Sequence, residues 1–430
     1  MKKKILSLAA AVAMLGMFAS CSSDDPKSPS PEPEPEPTVV PGENIPANEY
    51  TGADVAITMG DAPVRGQIVK FTPGPEPKLT IESEPINLSE LIAGVAAQSK
   101  AEGDLMLKTP GLIPGSPSVT IPLTLTGEAD TCSFTGTTQT EYCTFNYTGA
   151  VGPNGVTLSI SDVKLKNASL AGTYTVPTDY VSEDNTLDDS RLFRIQWDSA
   201  TKVMGFMPVS TVIRLALLMT TQPDANGKDQ PLPVLYANIL KSVTFGEDGS
   251  VTAVYCDTDE EGWPEATAPK GIASYVVKED GTALVFINPI AVITNVAANA
   301  SKSRAIDMDA IMETLINDVL PMCQNGIPVS YGPALVDTGD YDENLNPIFA
   351  PSENPNAYSF YLGTDVLLPL LKVAAPIIAD DDVINMIVEA AEKDPAMAGM
   401  ASMLPSILKT LPDIVDTTSK VEIGINLDRQ

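Results

Sequence analysis

The region from about residue 49 to residue 176 is dominated by short runs in which apolar and polar residues alternate. Val156–Val163 alternates through most of its length, as a strand with one face in water does. Turn residues separate these runs. The pattern predicts a β-rich domain over residues 49–185, either an antiparallel β-barrel or a sandwich. Its predicted strands are Thr51–Thr58, Pro63–Thr72, Pro77–Glu84, Ser118–Thr126, Ser133–Thr138, Cys143–Val151, Gly155–Lys166 and Gly172–Val176.

The pattern changes after the acidic stretch Tyr180–Asn185. From residue 186 to residue 430, strands alternate with strongly apolar helices, which predicts an α+β domain with apolar helical insertions. The turn signals Asp248-Gly249 and Asp280-Gly281 each predict a hairpin. The whole chain is therefore predicted to be mainly β with some α. The predicted helices are Ser210–Gln222, Asp307–Leu320, Thr364–Val373, Asp381–Glu392 and Pro395–Leu411, and the last predicted strand is Val421–Leu427.

The N-terminus has the pattern of a secretory signal peptide over residues 1–20. Three lysines precede the apolar run Ile5–Phe18, which is shorter than the roughly 20 residues that a membrane-spanning helix needs. Ala19 and Ser20 then lead into Cys21. This order resembles a bacterial lipobox, in which the cysteine thiol is diacylated and becomes the mature N-terminus. Each buried CH₂ of such chains contributes about 0.8 kcal/mol, so the resemblance implies a lasting membrane anchor at Cys21.

Residues 21–48 predict a disordered tether. Pro26–Pro37 contains a Pro-Glu repeat, which cannot form a helix because proline lacks the amide hydrogen and the glutamates repel one another. We expect an extended polyproline-II segment with a rise of about 3.1 Å per residue. Such a tether would hold the folded body clear of the membrane.

The amino-acid composition excludes several classes of catalytic and binding site. The chain has 430 residues, 26 of them basic and 56 acidic, which gives a formal net charge of −30, and it has no histidine. The negative charge argues against a nucleic-acid partner. Without histidine, the Ser-His-Asp and Cys-His catalytic machineries and every histidine-ligated metal site are excluded. No catalytic residues and no cofactor are predicted, although a pair of carboxylates would hydrolyse glycosides without histidine.

The five cysteines fit an exported protein. With Cys21 lipidated, an even number remains. Cys132 and Cys143 lie eleven positions apart across a predicted hairpin, and we predict a disulfide between them. Cys256 and Cys323 are a second, weaker candidate pair. The alternative for both pairs is buried thiols.

One acidic segment is a weak Ca²⁺ candidate. Asp340, Asp342 and Asn344 place oxygen ligands at alternate positions, as a Ca²⁺ loop does. Counted from Asp340, position six is Leu345 rather than glycine and position twelve is Pro351 rather than glutamate, which excludes an EF-hand. A solvated acidic loop is the alternative, and no other metal site is predicted.

The lipobox, the acidic patch Ser22–Asp25, the tether and the strand-rich first half together resemble a group of Bacteroidetes surface lipoproteins whose domains have no assigned function. That group is built from calycin-like (lipocalin-like) barrels. Tyr50-Thr51-Gly52 is similar to their opening strand and Leu170–Tyr174 to their closing strand. The resemblance covers residues 1–176, implies a barrel there and transfers no catalytic residue. Asp198-Ser199-Ala200 and Asp416-Thr417-Thr418 also look like O-glycan acceptor sites of that phylum.

These features predict a non-enzymatic binding or interaction module, anchored by lipid to the outer membrane and facing either the cell surface or the periplasm. The expected ligand is an apolar small molecule or a glycan, at residues the sequence does not identify. A carboxylate-based glycan hydrolase is one alternative, and it requires two carboxylates about 5–10 Å apart in an open cleft. A structural role in a surface assembly is the other, and it requires an exposed apolar patch.

Overall fold

The part of the chain that the structure describes begins at residue 40. The structure is a computed structural model, and it describes residues 40–60, 62–87, 106–107, 110–181, 187–258, 260–268, 270–288, 325–343, 346–393, 399 and 401–430. The predicted signal peptide, Cys21, most of the tether and the predicted helix Asp307–Leu320 lie outside the described residues. So do Cys323 and Asn344.

The strands before residue 166 build a two-layered sandwich. They are β1 (Asn48–Tyr50), β2 (Val55–Met59), β3 (Ala62–Val64), β4 (Gln67–Thr72), β5 (Lys78–Ser83), β6 (Ile86–Asn87), β7 (Met106–Leu107), β8 (Ser118–Pro122), β9 (Thr126–Gly127), β10 (Cys132–Gln139), β11 (Cys143–Gly152) and β12 (Gly155–Leu165). One sheet has the order β1-β4-β5-β8, and the other has the order β3-β2-β12-β11-β10-β9. β6 and β7 pair separately with each other.

The two sheets bury one shared core. Residues on alternate positions point inward, such as Val69 and Phe71 on β4 and Leu158 and Ile160 on β12. The chain crosses from one sheet to the other between β1 and β2, and β2 then pairs with β12 in parallel. Tyr147 on β11 spans the layers, since its hydroxyl donates to the Pro122 carbonyl at 2.6 Å. The alternating pattern therefore predicts these strands well.

The strands after residue 171 continue the fold. They are β13 (Gly172–Thr175), β14 (Phe193–Ser199), β15 (Thr221–Pro223), β16 (Asp229–Pro231), β17 (Leu240–Phe245), β18 (Ser250–Cys256), β19 (Glu265–Thr267), β20 (Ala273–Val277), β21 (Ala283–Ile287), β22 (Ile327–Pro333), β23 (Leu335–Tyr341), β24 (Pro347–Pro351), β25 (Ala357–Leu362) and β26 (Thr418–Arg429). The hairpins predicted at Gly249 and Gly281 are confirmed as β17–β18 and β20–β21.

Eight of these strands close into an antiparallel barrel. Their order is β13-β17-β18-β20-β21-β22-β25-β26, and β26 pairs with β13 to complete the ring. β14 lies outside the ring along β26, and β19 lies along β18. The chain is thus mainly β and contains a closed antiparallel barrel, as a calycin-like fold does, but the barrel does not lie within residues 1–176, where the resemblance implies it. The barrel is formed by residues 172–429. The first half forms a sandwich, which was the other of the two architectures predicted for it.

The described α-helices that adjoin barrel strands lie at one end of the barrel. α2 leads directly into β17, α3 follows β25, and α6 leads into β26. We call this the helix-covered end and the opposite end, where β17 turns into β18, the closed end. None of the described helices is long and apolar enough to cross a bilayer. The helices are α1 (Val209–Met219), α2 (Leu232–Ile239), α3 (Thr364–Ile378), α4 (Asp381–Lys393), α5 (Leu404–Lys409) and α6 (Leu411–Asp416).

The sandwich packs against the closed end. On β20, Tyr275 and its neighbour Val276 point to opposite faces, yet both are fully buried. Val276 lies beside Gly115 of the sandwich, whose φ of +71° and closeness to the Tyr142 ring leave no room for a Cβ. The barrel wall is therefore covered from outside as well as filled from inside, which is why its strands show little apolar-polar alternation.

Candidate functional site: the helix-covered end of the barrel

Aromatic side chains that meet across the barrel show which residues face its interior. The rings of Phe245 and Phe360 are stacked with their centroids 5.4 Å apart. Tyr174 meets Phe360 edge-on at 5.1 Å, and Tyr275 meets Phe245 at 5.1 Å. Because β17 and β25 are not neighbours in the ring, side chains that touch between them must point inward.

These rings fill the closed end. Tyr174 and Tyr275 are 1% and 0% exposed. Each hydroxyl has an acceptor, since Tyr174 donates to the Leu170 carbonyl at 3.1 Å and Tyr275 to the Gly246 carbonyl at 3.0 Å. A buried region whose polar groups are paired is a stable packed core. The closed end is therefore structural.

Residues that are directly paired on neighbouring antiparallel strands point to the same face of the sheet, so the pairing identifies further residues that face the interior. Val243 pairs with Tyr174, and Val285 pairs with Tyr275. Unlike the rings, these valines are only partly buried. These valines are thus less completely covered than the rings with which they pair, although Val421, on the same face of β26 and nearer the helices, is fully buried. Inward-facing residues that are apolar and partly buried at this end include Val243, Ala253, Val285, Ile327, Leu362 and Ile423.

The wall has a seam at the helix-covered end. β13 pairs only with residues 242–245 of β17 and residues 428–429 of β26. Farther along, β26 pairs with β14 on this side, and the described residues show no pairing between β14 and β17. The ring of Phe193 on β14 instead meets that of Tyr236 on α2, with centroids 5.0 Å apart. Side-chain packing rather than backbone hydrogen bonding closes the seam.

Tyr236 brings a polar atom into this apolar region. Its hydroxyl is buried and has no hydrogen-bond partner among the described residues, and the Thr211 hydroxyl on α1 is in the same condition. Burial raises the pKa of Tyr236 well above its usual value, so the hydroxyl keeps its proton. An unpaired buried hydroxyl costs about 1–3 kcal/mol. Apolar walls with a few polar groups are typical of sites for small molecules.

An ion-pair cluster holds α1 in place over the barrel. Arg214 donates to both oxygens of Asp189, at 2.9 Å and 2.7 Å, and to Asp337 on β23. Burial opposes the charge of Arg214, but the hydrogen bonds and charges of the two aspartates outweigh it and raise the pKa. Because both carboxylates are engaged with one arginine, we assign them a structural role rather than acid-base chemistry.

The Ca²⁺ candidate segment forms the hairpin β23–β24. Asp340 lies on β23, and Asp342 accepts hydrogen bonds at 2.8 Å and 3.0 Å from the amide and the side chain of Asn346. Asn344 lies outside the described residues. Among the residues that are described, no group of three or more acidic or cysteine side chains is placed to hold a metal ion. The weak Ca²⁺ site therefore stays a prediction.

The predicted disulfide between Cys132 and Cys143 is wrong. Both thiols are free and buried, as is that of Cys256. Cys132 pairs with Val151 at one end of the β10–β11 hairpin, whereas Cys143 begins β11 beside the turn. Cys143 and Val151 are eight positions apart on β11, so the two cysteines lie roughly 26 Å apart along the hairpin, far beyond the reach of a disulfide. Burial raises the pKa of the Cys143 thiol to about 11.

One of the two acceptor-like tripeptides is inaccessible. Ser199 is buried, and its hydroxyl donates to the Ile414 carbonyl at 2.9 Å. The Ser199 and Thr417 hydroxyls also lie 2.8 Å apart, so both tripeptides meet where β14 pairs with β26. In the folded protein Ser199 is a core residue rather than a glycan acceptor.

The sequence did not identify Tyr236 or the helix that carries it. Prolines at positions 231 and 233 indicate a loop, but the first turn of a helix tolerates proline. Proline at the start of an apolar run is therefore the signal that would have predicted α2. Comparison of the chain with protein-family models, with curated proteins and with solved structures finds no match.

Proposed function

We propose that this protein is a lipid-anchored lipoprotein of the cell envelope that binds an apolar small molecule, without catalysis, at the helix-covered end of its barrel. The observation that carries this proposal is the inward-facing apolar surface beside Tyr236, whose hydroxyl is a buried donor without a partner among the described residues. A ligand with a long apolar part and one hydrogen-bond acceptor complements both features. The barrel architecture is the one that calycin-like binding proteins have.

A displacement assay tests the binding. The neutral fluorophore N-phenyl-1-naphthylamine reports apolar sites, and straight-chain ketones and the matching alkanes serve as competitors. We expect Tyr236→Phe to weaken ketone binding by about 2–10-fold, the value of one hydrogen bond, and to leave alkane binding unchanged. Tyr341→Phe is the matched control, since Tyr341 is 58% exposed on the hairpin β23–β24. A protein that binds neither probe nor competitor would refute the proposal.

The anchor rests on the sequence, and mass spectrometry tests it. The Lys-rich start, the short apolar run and Cys21 support an acylated N-terminus. We propose an outer-membrane location, with the body at the cell surface or in the periplasm. The N-terminal peptide of the mature protein should begin at Cys21 and carry a diacylglyceryl thioether. An unmodified peptide, or one that begins elsewhere, would contradict this location.

A structural role in a surface assembly is the second candidate. The turn from Val203 to Met207 exposes two apolar side chains, with Met204 42% and Phe206 60% exposed. The amide of Val203 donates to the Met207 carbonyl at 2.9 Å, so the turn is held in shape. Exposed apolar groups on a fixed turn are typical of contact sites. If the protein self-assembles through this turn, Phe206→Ser will reduce the mass measured by light scattering.

A further inference from the structure

The sandwich carries a groove that is separate from the barrel. It lies where the chain crosses from β1 to β2 and where β3 turns into β4, and its volume is about 300 Å³. This is at the lower end of the range for small-molecule sites. Val55 and Val64 give it an apolar wall, and Gly52 and Gly66 leave its rim open.

Gln67 places an unpaired acceptor at the groove. The side chain is 7% exposed and faces the core of the sandwich in the same alternation as Val69 and Phe71. Its oxygen Oε1 is buried and has no hydrogen-bond donor among the described residues. Leaving such a group unpaired is unfavourable, and a ligand that supplies an O–H or N–H would satisfy it.

Arg65 places an unpaired cation at the same groove. The other described arginines are engaged: Arg191, Arg194 and Arg214 contact carboxylates, and Arg429 donates to the Ala171 carbonyl. Arg65 has no ion pair or hydrogen bond among the described residues. The chain has more than twice as many acidic as basic residues, so a lack of acids does not explain this. A free guanidinium beside a groove favours a carboxylate, which it binds through two parallel hydrogen bonds.

Gly66 brings the two groups together. Its φ of +69° is a conformation that favours glycine, and it turns the chain between Arg65 and Gln67. A Cβ built at this position meets nothing within 4 Å, so the glycine is required by the backbone turn and not by crowding. The turn therefore places a cation and an acceptor on neighbouring walls of one groove.

We propose that this groove binds a small hydroxylated carboxylic acid of the size of one sugar ring, an acidic monosaccharide. The carboxylate pairs with Arg65, a hydroxyl donates to the Gln67 oxygen, and the apolar face of the ring lies on Val55 and Val64. This site does not depend on the proposed apolar ligand of the barrel. It gives the protein a second, polar ligand class.

Calorimetry with three probes at low ionic strength tests the site. Glucuronate carries both groups, glucose lacks the carboxylate, and acetate lacks the hydroxyls. We expect glucuronate to bind at least about tenfold more tightly than either of the others, because each lacks one of the two contacts. Equal binding of glucose and glucuronate would overturn the assignment of Arg65, and no binding of glucuronate would overturn the whole proposal.

Two variants and a matched control locate the binding. Arg65→Met should weaken glucuronate binding by about tenfold or more, and Gln67→Leu by about fivefold, which reflects a charged and a neutral hydrogen bond. Lys78→Met removes an exposed cation from the same sheet and should leave binding unchanged. If Gln67→Leu does not fold, Arg65→Met still decides, because Arg65 is exposed and its replacement leaves the core intact. Unchanged binding in Arg65→Met would refute the site.

Discussion

The two ends of the barrel are built from the same kind of inward-facing apolar residues, yet they differ in how completely they are filled. At the closed end, the stacked rings of Phe245 and Phe360 are buried, and the hydroxyls of the neighbouring Tyr174 and Tyr275 are hydrogen-bonded. At the helix-covered end, valines on the same faces are partly exposed and the Tyr236 hydroxyl has no partner among the described residues. The closed end is thus a fully packed core, whereas the side chains named at the helix-covered end are less completely buried.

The difference arises from what closes each end. Short hairpin turns and the sandwich close one end with backbone hydrogen bonds and tight contacts, such as Leu165 N–H to the Glu247 carbonyl at 2.9 Å. Side-chain contacts between helices and the elements beside them close the other, through the Phe193–Tyr236 contact and the Arg214 cluster. Elements held by a few side-chain contacts open at lower free energy than a hydrogen-bonded sheet does.

The largest expected effect comes from the ion-pair cluster. Arg214→Met leaves Asp189, which is 3% exposed, as a buried charge without its partner. We expect the free energy of unfolding to fall by about 4 kcal/mol in urea denaturation. Arg191→Met is the control, because its ion pairs are more exposed and its loss should cost less than about 1 kcal/mol. Equal losses in the two variants would contradict the buried-cluster interpretation.

Matched leucines compare the two ends directly. Leu427 at the closed end is 1% exposed, whereas Leu362 at the helix-covered end is partly exposed on the same inner face. Leu427→Ala should lower the free energy of unfolding by about 3 kcal/mol and Leu362→Ala by about 1 kcal/mol, since less packing is lost where the interior is less filled. Similar losses measured by urea denaturation would show that both ends are packed alike.

Alkaline pH tests the contact between the sandwich and the closed end. The Cys143 sulfur lies 3.7 Å from the Pro114 carbonyl oxygen, and burial raises the pKa of the thiol to about 11. The folded state thus holds this proton more tightly than the unfolded state. The resulting stability is fully present below about pH 9 and is lost as the pH rises toward 11, by at most about 1.4 kcal/mol per pH unit.

The Cys143→Ala variant isolates that contribution. Thermal unfolding measured from pH 8 to pH 11 should show a shallower loss of stability in the variant than in the parent. Buried tyrosines of the closed end, such as Tyr174, titrate in the same direction in both proteins and cancel in the comparison. Parallel pH profiles would mean that Cys143 is exposed to solvent.

The smallest expected effect concerns Tyr236. Replacing it with phenylalanine removes a buried hydroxyl that has no described partner, so stability should stay the same or rise by up to about 1 kcal/mol. Tyr275→Phe removes a bonded hydroxyl at the closed end and should lower stability by about 1 kcal/mol. Stability changes of opposite sign in the two variants would show that the tyrosine hydroxyl is hydrogen-bonded at the closed end and not at the helix-covered end. A loss of stability in Tyr236→Phe would show that the hydroxyl is paired.

Local sequence patterns predicted the elements better than their assembly. The strand near Val156–Val163, the hairpins at Gly249 and Gly281, and the helix that begins at Asp381 lie where alternation, turn residues and apolar periodicity place them. α2 was not predicted because its prolines indicate a loop. Several barrel strands were predicted, but their closure into a ring was not, because strands covered on both faces do not alternate. The Cys132–Cys143 pairing failed because spacing along the chain says nothing about register.

The β-rich character, the absence of histidine chemistry and the excess of negative charge each follow from residue type and short-range order, so the amino-acid sequence is sufficient to establish them. Which half closes into a barrel does not follow from local order, because closure depends on pairing between β13 and β26, about 250 residues apart. The unpaired Tyr236 hydroxyl and the Arg65–Gln67 groove also arise only there. Whether a polar group finds a partner depends on what the fold brings beside it, and no local pattern contains that information.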